Sequence, residues 1–126
     1  MDKQLRALQH LTGMVLDVER MKLQQIALAE QKLGKQISEL DNEKEKRVAK
    51  LSARGGTDTA LLAGADMRWH SWIQQQKRVL NTRRAALLAK QEEQRLKAQK
   101  AFGKNEAVRN LLEKSAEDAR MKSGRP

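Results

Sequence analysis

Apolar residues recur along the first half of the chain at helical spacing. Leu8, Leu11, Val15 and Val18 form one run, followed by Leu23, Ile26, Leu33, Ile37, Leu40, Val48 and Leu51. At about 100° per residue most of these fall on one stripe, which predicts a single long helix. Lys44 interrupts the stripe, where its aliphatic stem can cover apolar surface while the ammonium reaches water. A second stripe runs Leu62, Ala65, Trp69, Ile73, Gln76, Leu80, Leu87, Gln91, Gln94, Ala98 and Ala101, then Val108 and Leu112. It is narrower and more polar, as suits a coiled-coil seam, and its Gln and Ala positions predict thin packing around 91–101.

Between the stripes lies Ser52-Ala53-Arg54-Gly55-Gly56-Thr57-Asp58-Thr59. Glycine accepts the positive φ that ends a helix, and a short oxygen side chain caps the next one. The expected architecture is all-α: one long antiparallel two-helix coiled-coil hairpin forming a single domain. Helix one covers about 2–53, the turn about 54–58, helix two about 59–120, and 121–126 form a frayed tail. Helix one would measure roughly 75 Å at about 1.5 Å per residue, too long to stand alone with a wet apolar stripe. Folding about Gly55-Gly56 sets a register in which partner numbers sum to 112 or 113. Leu40 then meets Trp72, Leu33 meets Leu80, Ile26 meets Leu87 and Leu11 meets Phe102.

Composition fits this reading. Ala, Leu, Lys, Arg, Gln and Glu dominate, mean hydropathy is −0.79, aromatics are 2%, and the one proline is Pro126. These residues lose little side-chain freedom in a helix. Helix-surface charge pairs are expected at Asp17–Arg20, Glu19–Lys22, Asp41–Lys44, Glu43–Arg47, Glu93–Lys97 and Glu106–Arg109.

The net charge of +10 is uneven. Residues 1–51 carry 10 basic against 8 acidic side chains, and residues 52–126 carry 16 against 8. The second half therefore attracts anionic partners. Its cations between 68 and 104 spread around the helical wheel, and aromatics for base stacking are lacking, so nucleic acid is not the expected ligand.

Catalytic and metal-binding residues are not expected, and no cofactor is implied. There is no cysteine, Gly55-Gly56 lacks the Lys-Ser/Thr of a phosphate loop, and His10 and His70 sit without acidic neighbours at ligand spacing. A two-helix hairpin also offers no concave pocket in which to desolvate a substrate. The N-terminal residues lack the features of a secretory signal and no apolar run reaches the length of a membrane span. A soluble cytoplasmic protein is expected, monomeric, reaching a membrane only through partners.

Binding candidates remain. Trp69 sits in the seam and Trp72 flanks it; both suit packing anchors, and Trp72 with Arg68, Arg83 and Arg84 also suits a partner surface. Met14, Met21 and Leu28 repeat every seven residues, about 100–140° from the main stripe. They are either scattered exposed residues or a landing strip for another chain. Leu88 and Leu96 also lie off the seam.

Two local pieces stand out: Gly64-Ala65-Asp66-Met67-Arg68-Trp69-His70-Ser71-Trp72, and Ala101-Phe102-Gly103-Lys104-Asn105-Glu106. With these, the hairpin layout and the basic charge, nearly the whole chain resembles the flagellar export protein FliJ family, which includes the virulence type III secretion stalk proteins. The resemblance implies a non-enzymatic helical hairpin like the central stalk of rotary ATPases. Its paired ends would insert into the hexameric export ATPase ring, and another part would touch the export gate. By position, Leu5, Leu8, Leu11, Phe102, Val108 and Leu112 would form the inserted end, and the basic second helix would face acidic ring or gate surfaces. The chain has no tyrosine, so the Tyr-rich patches of some members are missing and the gate contact is unplaced. Alternatives are a basic coiled coil that binds nucleic acid or an acidic scaffold, and a purely structural spacer.

Overall fold

A computed structural model describes residues 2–53 and 59–124, with side chains of the second helix described from 64 onward. It contains two α-helices, α1 (Asp2–Ala53) and α2 (Thr59–Ser123), packed as an all-α hairpin. The expected turn, with its candidate caps Thr57 and Asp58, lies outside the described residues. Both helix ends near it fall where the Gly-Gly break placed them. The far end differs: α2 runs to Ser123 instead of fraying from 121. Arg120 and Lys122 in its last turn complement the helix dipole. The Gly124 amide donates to the Arg120 carbonyl at 2.9 Å, and the Ser123 hydroxyl donates to the same oxygen at 3.1 Å.

The chain divides into two compact units. A terminal unit joins Met1–Ile26 to Lys90–Pro126, and a middle unit comprises Ala27–Ala89. Helices α1 and α2 run antiparallel within each.

In the middle unit the α1 seam is Glu30, Leu33, Ile37, Leu40, Lys44, Arg47 and Leu51, each half-buried. Across it stand Asp66, Trp69, His70, Ile73, Lys77, Leu80, Arg84 and Leu87. Ile73 is the centre, with 0% exposure. Charged side chains close the edges. Arg84 Nε donates to Glu30 Oε1 at 2.7 Å, Lys77 Nζ pairs with Asp41 Oδ1 at 2.5 Å, and Arg47 Nε donates to Asp66 Oδ1 at 3.2 Å. Two expected helix-surface pairs are thereby replaced: Asp41 and Arg47 turn across the seam, where the opposite helix supplies a partner. Glu19–Lys22, Glu93–Lys97 and Glu106–Arg109 form as expected, at 3.8, 3.8 and 3.4 Å.

In the terminal unit the α1 seam is Leu5, Gln9, Thr12, Leu16, Glu19, Leu23 and Ile26, facing Gln91, Gln94, Ala98, Ala101, Asn105, Val108, Leu112 and Ser115. Leu16, Gln94, Ala101 and Val108 are buried. Around 91–101 the seam is built from Gln and Ala as the sequence has it, yet Gln94 and Ala101 are buried instead of loosely packed, and several polar members are paired. Thr12 Oγ1 donates to Asn105 Oδ1 at 2.8 Å, and Ser115 Oγ donates to Asp2 Oδ1 at 2.5 Å. Among the described residues no buried side-chain polar atom lacks a partner.

Here the first sequence stripe is corrected. Leu8, Leu11, Val15 and Val18 are exposed, Leu11 by 57%. The true seam alternates steps of four and three without interruption from Leu5 to Leu51. The run through Val18 reaches Leu23 only by a step of five, which moves it off that face.

The register also shifts. Glu19–Gln94 and Arg47–Asp66 sum to 113, Glu30–Arg84 to 114, Asp2–Ser115 and Thr12–Asn105 to 117, and Asp41–Lys77 to 118. The spread is about one helical turn, the reach of side chains along a helix pair. Two expected seam pairs are lost. Trp72 lies half-exposed beside a seam held by Trp69 and Ile73, and Leu11 and Phe102 both face outward.

Candidate partner-binding surfaces

In the middle unit, the Gly64–Trp72 piece divides by helical phase. Asp66, Trp69 and His70 turn toward α1, while Met67, Arg68 and Trp72 turn outward. Arg47 organises the inner set. Its guanidinium carbon lies 4.5 Å from the Trp69 ring centroid while Nε holds Asp66. This position suits a planar cation that stacks and hydrogen-bonds at once. Asp66 Oδ2 also lies 3.2 Å from His70 Nε2, one turn along the helix. His70 therefore does have an acidic neighbour, at a spacing of four that the sequence displayed. Among the described residues no group of three or more His, Asp and Glu side chains could hold a metal ion.

The outward set of this unit is Leu28, Arg68, Trp72 and Arg83. Arg84, expected beside Arg83 as a binding cation, is instead tied to Glu30. Adjacent residues on a helix point about 100° apart, so only one of the pair can cross the seam.

The terminal unit holds the other expected residues. Val108 is buried, and Leu5 and Leu112 are half-buried in the seam, so these three support the end more than they present it. Met14 and Met21 are exposed on the side of α1 opposite the seam. Leu8, Leu11, Val15 and Val18 lie between that back face and the seam edge. Together they form a continuous apolar strip over three turns of α1, wider than the Met14–Met21 row alone. Exposed contiguous strips of this kind mark interaction sites more than scattered single residues do.

Helix α2 adds the other wall. A small depression of ≈150 Å³ is lined by Leu11, Thr12, Val15, Ala101 and Lys104. Further along the same side, an open groove of ≈690 Å³ is lined by Leu5, Leu8, Leu111 and Lys114 among others. The small side chains of Thr12 and Ala101 leave the first hollow; a bulky seam residue would fill it. Phe102 is not part of this side. It precedes Lys104 by two residues and so points about 200° away around α2. Exposed apolar side chains thus flank the terminal unit on two sides.

The exposed pair Glu92–Arg95 has its hydrogen bond at 2.6 Å, which holds the Glu92 carboxyl below its ordinary pKa and raises that of Arg95. It is a solvated helix pair one turn apart, with Arg95 seven residues before Phe102 on the same face. No helix among the described residues is long and apolar enough to cross a membrane.

No protein-family model matches the chain, and no curated protein or solved structure matches it either.

Proposed function

We propose that this chain is a non-enzymatic stalk component of a flagellar or type III protein export apparatus, working in the cytoplasm and contacting the export ATPase ring and the export gate. The observation that carries the reading is the terminal unit. It ties the start of α1 to the end of α2 through Asp2 and Ser115, and it leaves Leu8 and Leu11 exposed on one side and Phe102 on another. Paired ends with apolar residues on more than one side suit a partner that surrounds them. The resemblance of the Gly64–Trp72 and Ala101–Glu106 pieces to that family supports the same reading, as does the basic second half facing acidic surfaces.

The competing reading, a coiled coil that binds nucleic acid through its +10 charge, is less well served by an apolar strip along the exposed terminal face. Phosphate-directed surfaces place cations and polar groups where α1 places Leu8, Leu11, Val15 and Val18. One experiment separates the two. The purified chain is titrated into a purified export ATPase and, separately, into duplex DNA near physiological salt. Binding that increases ATPase oligomerisation, lost in Leu8→Glu and Phe102→Ser variants, is the expected result. Duplex binding whose affinity falls with salt by about 0.9 log unit per neutralised phosphate, without ATPase binding, would overturn the export reading.

A further inference from the structure

One side of the terminal unit combines two features on opposite helices. On α1, Leu8, Leu11, Val15 and Val18 form an exposed apolar wall. On α2, Lys90, Lys97 and Lys104 recur every seven residues, about 10.5 Å apart along the helix. Residues seven apart share a face, and the hollow lined by Leu11, Val15, Ala101 and Lys104 shows that this face borders the apolar wall. Lys100, one turn before Lys104, joins the row. The lysine row is invisible when all cations of 68–104 are placed on one wheel. It emerges once Lys77, Arg84 and Arg95 are assigned to their acidic partners. Glu93 lies 3.8 Å from Lys97, and Asp118 lines the far end of the groove beyond Leu111.

We propose that this groove is the docking site for an amphipathic α-helix of another protein, with apolar residues facing Leu11 and Val15 and an acidic flank along Lys97, Lys100 and Lys104. The proposal goes beyond the export reading, because it concerns the shape and charge of the recognised element whatever apparatus supplies it. A helix fits for two reasons. Both walls repeat at seven residues, the spacing at which a third helix in a bundle returns to the same face. The surface is also concave between two helices, with hollows beside Leu11 and between Leu8 and Leu111 that knob-like side chains fill. Net charge opposes the terminal unit of a second copy as the occupant. The terminal unit carries 14 basic against 9 acidic side chains, so two such units repel. A lipid surface is flat and would leave the hollows unfilled.

The test uses the full chain. It has no cysteine, so a bimane on Val15→Cys reports this groove alone. The probe is a synthetic helical peptide of about 21 residues, three heptads with Leu at the core positions and Glu on the flanks. Its twin carries Lys for Glu. At about 150 mM salt the Glu peptide shifts the bimane emission saturably, and the Lys peptide binds at least about tenfold more weakly. Anisotropy of labelled peptide then shows Leu11→Glu abolishing binding, Lys97→Glu/Lys104→Glu reversing the preference, and Met67→Ser leaving it unchanged. These side chains are exposed, so circular dichroism stays constant throughout. Equal affinity for both peptides, or binding indifferent to Leu11→Glu, overturns the proposal. So does a concentration-dependent dimer that Leu11→Glu abolishes. Binding to phosphatidylserine vesicles through the same residues, without peptide binding, overturns it in favour of a lipid surface.

Discussion

Gln94 reaches across the seam to Glu19, its side-chain amide donating to the Glu19 main-chain carbonyl at 3.0 Å and also to the Glu19 carboxylate. It is the one buried polar residue among the described side chains. A polar pair inside a heptad seam costs stability relative to apolar packing, and its best-attested use is to specify register. Gln94→Glu sets two carboxylates against each other and lowers unfolding stability by about 1–3 kcal/mol. Adding Glu19→Gln recovers part of that loss. Urea melts of the two single variants and the double variant check this, and strict additivity would show that the residues do not interact.

Ile73 is the best-enclosed side chain of the middle unit. Ile73→Ala costs about 2–5 kcal/mol, because the lost contacts leave a cavity that long helices cannot readily collapse. Val79→Ala on the exposed face stays within about 0.5 kcal/mol. Equal losses in urea melts would contradict the seam assignment.

Two glycines sit inside α2 without a packing reason. A Cβ at Gly64 or Gly103 meets nothing within 4 Å. Each replacement by alanine raises stability by roughly 0.5–1 kcal/mol through helix propensity. Thermal melts check this; a lower melting temperature would reveal a neighbour that the fold does not display.

The paired arginines separate by consequence. Arg84→Ala loses the Glu30 contact and costs up to about 1 kcal/mol, since the pair is only part-buried. Arg83→Ala leaves stability unchanged. Arg47→Lys keeps the charge but loses the guanidinium stack on Trp69, so tryptophan emission shifts while helicity holds.

The antiparallel arrangement of the middle unit has a direct readout. Spin labels at Leu33 and Leu80, measured in labelled chain diluted with excess unlabelled chain, report a short distance when the seam closes within one molecule. Loss of that signal on dilution would mean that two chains exchange arms.

Much of the fold was legible because a helix writes its burial into its sequence every three or four residues. The helix ends beside the Gly-Gly break and most of the seam from Leu23 to Leu51 and from Ile73 to Leu112 followed from spacing, but Val48 is exposed and Arg47 takes the seam position beside it. The inner half of the Gly64–Trp72 piece was half-legible: Asp66 and His70 are one turn apart on paper, whereas Arg47 lies on the other helix. The lysine row was hidden among paired cations, two of which, Lys77 and Arg84, find their partners on the other helix.

The sequence by itself determined two long helices, a break at Gly55-Gly56 and an excess of positive charge in the second half. Only the tertiary structure decided that Leu5, Gln9, Thr12, Leu16 and Glu19 form the seam of the first 21 residues, and that the more apolar run Leu8, Leu11, Val15 and Val18 does not. In the terminal unit Leu16 turns inward against α2, and side chains about 100–140° away on the same helix, Val15 and Leu11, cannot face α2 as well. Those residues remain outside, beside the lysines of the opposite helix, and that leftover face is where a partner can bind.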